Sequence, residues 1–282
     1  NNTIQKDYFL PSLNLKYNLN DKNSLRLGAS KTYTLPQAKE ISPYRYVGVN
    51  FNSQGNPNLK PSDHYNLDLK WDFNPTPTEL ISLTAFYKLI KNPISRIEVA
   101  SAGGYLSYEN IADKATVAGV EIEIRKNLFV RPVSNAAHGM NKLSLGLNGS
   151  YIYTNAKMPL ATVTTGSQLE GAAPWIVNFD LSHNFTKGER SFVNTLVLNY
   201  VSDKIYTIGT QGYQDVMEQG VLILDFVSQA KLNKHLSLNL KARNLLNPSY
   251  KLSRKANENG EKVILNDYKK GINISLGVSC TF

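Results

Sequence analysis

The feature that most constrains this chain is a strict apolar–polar alternation that recurs along nearly its whole length. Successive side chains of a strand point to opposite faces of the pleated backbone, so such alternation means a sheet with one greasy and one polar face. Leu13, Leu15, Tyr17 and Leu19 alternate with Asn14, Lys16 and Asn18, and Tyr65, Leu67, Leu69, Trp71 and Phe73 with Asn66, Asp68, Lys70 and Asp72. The pattern continues through residues 81–87, 120–124, 143–153, 175–181, 222–226 and 236–242, and is cleanest over 272–282. Over 192–203 it is ambiguous, because Val193, Val197 and Val201 compete with Leu196, Leu198 and Tyr200 for the apolar face. This reading predicts about eleven strands of roughly ten to fourteen residues, longer than the ~5–6 usual in soluble sheets. A tilted strand crossing a bilayer needs ~9–11 residues, and alternating segments of about that length between turns mark a transmembrane barrel. The expected fold class is all-β, an antiparallel up-and-down transmembrane β-barrel.

Connection lengths point the same way. Short links at 20–23, 74–78, 186–190 and 233–234 alternate with long ones at 34–62, 89–116, 155–172, 202–219 and 247–267. Short periplasmic turns opposite long extracellular loops would produce this order. The link at 127–141 breaks it, falling on the short side with about fifteen residues. With the C-terminus at the periplasmic rim, the last strand runs inward and every long loop lies outside. Composition removes the competing classes. Hydrophobic residues make up 41 % of the chain, too many for a disordered one. The longest apolar runs resemble Val221-Leu222-Ile223-Leu224, far below the ~18 residues of a spanning helix. Cys280 is the single cysteine, which excludes a disulfide scaffold. The chain opens at Asn1 without a leader pattern, as expected of a processed chain or a fragment.

Three segments carry a family resemblance. Gly55-Asn56-Pro57-Asn58-Leu59-Lys60-Pro61-Ser62 precedes a strand, Tyr108-Glu109-Asn110-Ile111-Ala112 leads to Ala118-Gly119-Val120-Glu121-Ile122-Glu123, and Ala242-Arg243-Asn244-Leu245-Leu246-Asn247 follows. Together they resemble recurrent segments of TonB-dependent outer-membrane receptors, and Phe282 ending an alternating strand resembles the signal read by the barrel assembly machinery. The resemblance spans nearly all of residues 1–282 and implies the C-terminal portion of a barrel of roughly 22 strands, with the N-terminal plug and first barrel half absent. It implies an energy-coupled importer of a scarce nutrient of the siderophore, cobalamin, glycan or peptide class, coupled to the TonB complex through that absent plug. The other implied surroundings are outer-membrane lipid and lipopolysaccharide. An alternative for the fold is a small closed barrel with a twelfth strand, and the alternative function is that of a passive porin or a structural or adhesive outer-membrane barrel.

No catalytic constellation stands out. His64, His138, His183 and His235 are far apart and lack Cys or carboxylate partners at metal-ligand spacing, and there is no G-x-S-x-G, Walker-type or H-E-x-x-H motif. No enzyme activity, cofactor or metal site is expected. Because charge on the lipid face costs ~2–4 kcal/mol at mid-depth for Lys or Arg, the pattern sends Lys16, Asp68, Lys70, Glu121, Glu123, Asp180, Asp225, Lys241 and Arg243 inward. Such wall charges face either a plug or a ligand. Of the formal net charge of +9, the five long links carry only +1, so neither anion capture by the loops nor nucleic-acid binding is supported. The candidate ligand contacts are Lys241, Arg243 and Lys269, which the strand phase turns inward toward the extracellular half, where they would hold an anionic substrate group or a plug carboxylate. Tyr44, Tyr46, Tyr105, Tyr206 and Tyr213 lie in long loops, where they contact substrate or pack the loops together. Tyr33, Tyr87, Tyr153, Trp175, Tyr200 and Tyr268 are placed at the outer strand ends and Phe73, Phe185 and Phe282 at the inner ends, as interfacial girdles.

Overall fold

The computed structural model describes residues 6–281 except 50, 102–103, 134–138, 159–166 and 257–259. Phe282 and His138 lie outside the described residues. In chain order the elements begin β1 (Ser12–Asn20), β2 (Asn23–Thr34), α1 (Ala38–Ile41), β3 (Arg45–Tyr46), β4 (Ser53–Gln54), β5 (Ser62–Phe73) and β6 (Leu80–Lys91). They continue with β7 (Ile94–Val99), β8 (Tyr105–Asn110), β9 (Lys114–Pro132), β10 (Met140–Ala156), β11 (Trp175–Lys187) and β12 (Arg190–Val201). The last are β13 (Lys204–Thr207), β14 (Val216–Glu218), β15 (Val221–Lys231), β16 (Leu236–Arg243), β17 (Ser249–Lys255), β18 (Lys262–Lys269) and β19 (Asn273–Cys280).

Eleven strands form one antiparallel sheet in the order β1-β2-β5-β6-β9-β10-β11-β12-β15-β16-β19, the expected number and meander. Among the described residues β1 and β19 are its two edges and do not pair with each other, so the sheet is an open wall. The lipid-facing side chains lack protein cover: Leu13 and Leu69 are 52 % exposed and Ile274 is 68 % exposed. Register keeps the phase continuous across the wall. Lys16 pairs with Arg26, Arg26 with Lys70, Lys70 with Thr84 and Thr84 with Glu121, while Asp180 pairs with Val197, Val197 with Asp225 and Val227 with Lys241. The inward residues therefore share one face, tied together by Arg26–Asp72 at 3.3 Å, Arg125–Glu123 at 2.8 Å, and the chain Asn178 to Asn148 to Glu121. The ambiguity over 192–203 resolves to Leu196, Leu198 and Tyr200 outward, paired with Leu181, Phe179 and Val177.

Three sequence readings are corrected. The link at 127–141 is mostly strand: β9 and β10 stay paired to Pro132 and Met140, with a bulge where Asn127 and Phe129 oppose the consecutive Ser144 and Leu143. An extra residue in one strand of a ladder leaves the pairing to resume beyond it, so residues 127–132 and 140–141 extend the hairpin. The long links are not plain loops either. They carry two four-stranded sheets, β3-β4-β8-β7 and β13-β14-β17-β18. Finally, Lys269 does not lie on the last wall strand. It ends β18, opposite Ser249, and Gly271 at φ 79° turns the chain before β19; that left-handed backbone suits glycine. The same hairpin takes Tyr268 out of the outer girdle and stacks it on Tyr250 at 5.4 Å.

The buried apolar residues sit at the long-loop end. Ile97, Ile111, Ala112, Ala115, Ala156, Leu169, Ile205 and Ile208 form the core cluster. A single-layer wall has no interior between layers, so its apolar face is left for lipid, whereas the loop sheets face water and must pack against one another. Within the wall, Gly119 is a close-approach position. A Cβ there would lie 2.4 Å from Phe86 Cζ and 2.4 Å from the Tyr151 carbonyl oxygen, and the ring of Phe86, its cross-strand partner, covers it. Gly119→Ala is expected to lower stability by about 1–3 kcal/mol, the usual cost of overpacking. The checking measurement is the temperature at which the folded, fast-migrating barrel band disappears on gel electrophoresis.

Candidate functional site

The two loop sheets are joined by a parallel bridge between Ile97 of β7 and Ile208, with Glu98 N–H donating to the Ile208 carbonyl at 3.0 Å and Ile208 N–H to the Arg96 carbonyl at 3.1 Å. This splice places Arg96 at the centre of the loop end. Its Nη2 donates to Glu170 Oε1 at 2.9 Å and to the Tyr206 carbonyl at 2.8 Å, its Nε to the same carbonyl at 3.1 Å, and its backbone N–H to Glu170 Oε2 at 2.6 Å. The guanidinium lies 3.9 Å over the Tyr206 ring. A planar fork can bridge a carboxylate and a carbonyl while stacking on an aromatic face, which a lysine cannot do. A second arginine repeats the arrangement: Arg254 of β17 pairs with Glu98 and lies over Tyr213 at 5.2 Å. Arg45 over Tyr105 and Lys39 over Tyr46 are looser versions at 5.7 and 5.4 Å.

Three of the five candidate loop tyrosines, Tyr105, Tyr206 and Tyr213, thus serve loop-to-loop packing, while Tyr46 meets Lys39 of its own loop and Tyr44 is 75 % exposed. Tyr206 also lines a cleft of about 520 Å³ with Tyr250, Tyr268, Glu218, Lys251, Leu252 and Asn266. Aromatic faces beside a carboxylate, an ammonium and an amide suit a polar organic ligand with flat or apolar parts. Lys241 and Arg243 stand two residues apart on one face of β16, opposite Ser275 and Asn273. Lys269 belongs to the loop sheet. Arg96, Glu170, Arg254 and Glu98 carried no sequence signal, since their partners lie 74 and 156 residues apart.

Burial pushes the Glu170 carboxyl above the ordinary carboxylate range, against the opposing pull of Arg96. Desolvation of a half-buried ion pair can outweigh its Coulombic return. With the folded pKa raised, the closed loops hold a proton that opened loops release; this contribution is complete below the ordinary carboxylate range and is lost as pH rises through the raised value. Protease cleavage of the loops on intact cells is therefore expected to accelerate as pH rises through that window, and Glu170→Gln is expected to flatten the profile.

An alternating eleven-stranded wall, short turns at one rim and packed loop sheets at the other define a segment of an outer-membrane β-barrel. The chain belongs to the TonB dependent receptor-like, beta-barrel family, whose model it matches over residues 1–245. It is 25 % identical over 228 residues to an iron-regulated outer membrane virulence protein of Vibrio cholerae, a match covering 77 % of this chain and 32 % of the relative. Its fold is similar to that of the ferric enterobactin receptor PfeA of Pseudomonas aeruginosa, with TM-score 0.60 and 18 % identity over 97 % of this chain and 40 % of that one. The copper transporter OprC gives TM-score 0.63 at 14 % identity, covering 95 % of this chain and 39 % of that one. At these identities the structures show the fold alone. The chain spans 32 % of the length of the curated relatives it matches. The family and these neighbours are receptors and transporters, not enzymes.

Proposed function

We propose that this chain is the C-terminal portion of a roughly 22-stranded receptor barrel that imports a scarce nutrient across a Gram-negative outer membrane, driven by TonB through a plug carried elsewhere in the protein. The observation that carries the reading is the open eleven-stranded wall whose loop end is built into two interlocked sheets. An open sheet edge is not tolerated in lipid, so β1 and β19 need partner strands. In this reading the C-terminus lies at the periplasmic rim, because β19 runs from the long-loop end toward the short turns, and Phe282 serves barrel assembly.

Ferric siderophores are the first substrate class to test, since the neighbouring structures include siderophore receptors and the curated relative is iron-regulated. Deleting the gene should abolish growth on the cognate ferric siderophore under iron limitation. In the full-length receptor, Lys241→Gln with Arg243→Gln and Lys269→Gln should weaken binding of that siderophore. Normal growth of the deletion strain on every siderophore tried, with loss of growth on cobalamin or a glycan, would move the assignment to that class.

A further inference from the structure

The outward face of β9–β12 departs from a plain lipid-facing surface near the short-turn rim. Register places Lys187 opposite Arg190, Phe185 opposite Phe192, His183 opposite Asn194 and Leu181 opposite Leu196. These are successive outward positions, ~7 Å apart along the strands. From the rim inward, the face therefore reads cation, aromatic, polar, apolar. The aromatic row continues through Asn141 to Arg131 on β9, and the polar row through Leu143 to Phe129. Arg131 lies 5.5 Å over the Phe129 ring, and Phe185 and Phe192 are 6.5 Å apart.

The polar groups of these two rows are satisfied within the wall in a specific way. His183 Nε2 is 2.8 Å from Asn141 Oδ1, and Ser228 Oγ donates to Asn194 Oδ1 at 2.7 Å. Both amide oxygens are thus engaged, leaving the amide N–H₂ groups as donors on a face that meets lipid. Arg131, Lys187 and Arg190 have no ion-pair partner among the described residues, while Glu189, the carboxylate of this turn, is taken by Lys234 at 3.0 Å. Lys187 and Arg190 stand in the rim row, Arg131 and Asn141 in the row beside Phe185, and Asn194 one row farther in, so uncompensated cations at the headgroup level grade into amide donors toward the glycerol esters, the acceptor layers of a phospholipid with net negative charge. These strands lie in the middle of the sheet, so this outer face is complete without the rest of the barrel.

We propose that the face formed by Arg131, Lys187 and Arg190, with Asn141 beside Arg131 and Asn194 one row farther in, is a binding seat for an anionic phospholipid of the membrane leaflet at the short-turn rim. It rests on the membrane-spanning reading of the wall and not on the transport assignment. A failed uptake assay leaves it standing.

The test is native mass spectrometry of the full-length receptor in mild detergent, titrated with phosphatidylglycerol and with phosphatidylethanolamine. The wild type should retain phosphatidylglycerol preferentially. Each cation near a charged lipid surface is worth about fivefold, so Arg131→Gln with Lys187→Gln and Arg190→Gln should reduce phosphatidylglycerol retention roughly a hundredfold at low salt. Removing the same charge at the loop end, with Lys114→Gln, Lys255→Gln and Lys262→Gln, should leave the preference intact. Equal retention of the two lipids by the wild type overturns the seat without recourse to any variant. An unchanged preference in the first variant overturns it, as does an equal loss in the second.

Discussion

Leu196→Lys and Val197→Lys, adjacent substitutions adding the same charge, are expected to have opposite outcomes. Leu196 lies mid-strand on the lipid face, 37 % exposed and flanked across β11 and β15 by Leu181 and Phe226. An ammonium there costs about 2–4 kcal/mol at the bilayer midplane, equivalent to a loss of roughly thirty- to eight-hundredfold in the folded-to-unfolded ratio. Val197 faces inward between Asp180 and Asp225, where a lysine gains two carboxylate neighbours and stays in the polar lumen. The measurement is the amount of heat-modifiable barrel in outer-membrane fractions. Accumulation of both variants at wild-type level would contradict the facing assigned to β12.

The second large effect is expected at the loop end. Arg96→Ala removes the partner of Glu170 and the double donor to the Tyr206 carbonyl in one step. The Arg96 and Glu170 side chains are 24 % and 21 % exposed, so the full penalty for breaking a buried pair is discounted for solvent, to about 2–3 kcal/mol. The two loop sheets meet at this residue, and the loss should appear as their separation. Where opening is fast relative to cleavage, that is roughly a thirty- to hundred-and-fifty-fold rise in proteolysis of the surface loops on intact cells. Arg96→Lys should fall between, because an ammonium keeps the charge but lacks the fork and the flat stacking face. Wild-type protection in Arg96→Ala would show that the Ile97–Ile208 bridge holds the sheets without it.

The wall was legible because the bilayer imposes its rule residue by residue. Leu13, Leu69 and Ile274 needed no knowledge of their neighbours to be assigned outward. The assignment failed where the chain leaves that environment. Lys269 and Tyr268 keep an alternating pattern, yet they sit in a water-facing hairpin, because alternation alone does not distinguish a lipid-facing strand from a two-faced loop strand. The link at 127–141 reads as a loop in sequence for a related reason. A bulge shifts the phase by one residue, which on a sequence looks like the end of a strand.

The loop tyrosines show where the candidate site escaped the sequence. Their place in the long loops is legible from the sequence, but the arginines over Tyr105, Tyr206 and Tyr213 are not. Arg96 meets Tyr206 only because β7 docks against the strand leading to Ile208, and Arg254 meets Glu98 across 156 residues of chain. The amino-acid sequence by itself determined the number of wall strands, which face meets lipid and which rim carries the long loops, since each follows from local periodicity against a uniform solvent. Only the tertiary structure decided that the loops form two spliced sheets, that the apolar core lies there, and that Arg96 and Arg254 hold it together. Those contacts depend on which distant side chains meet when separate sheets dock, and no local pattern encodes that.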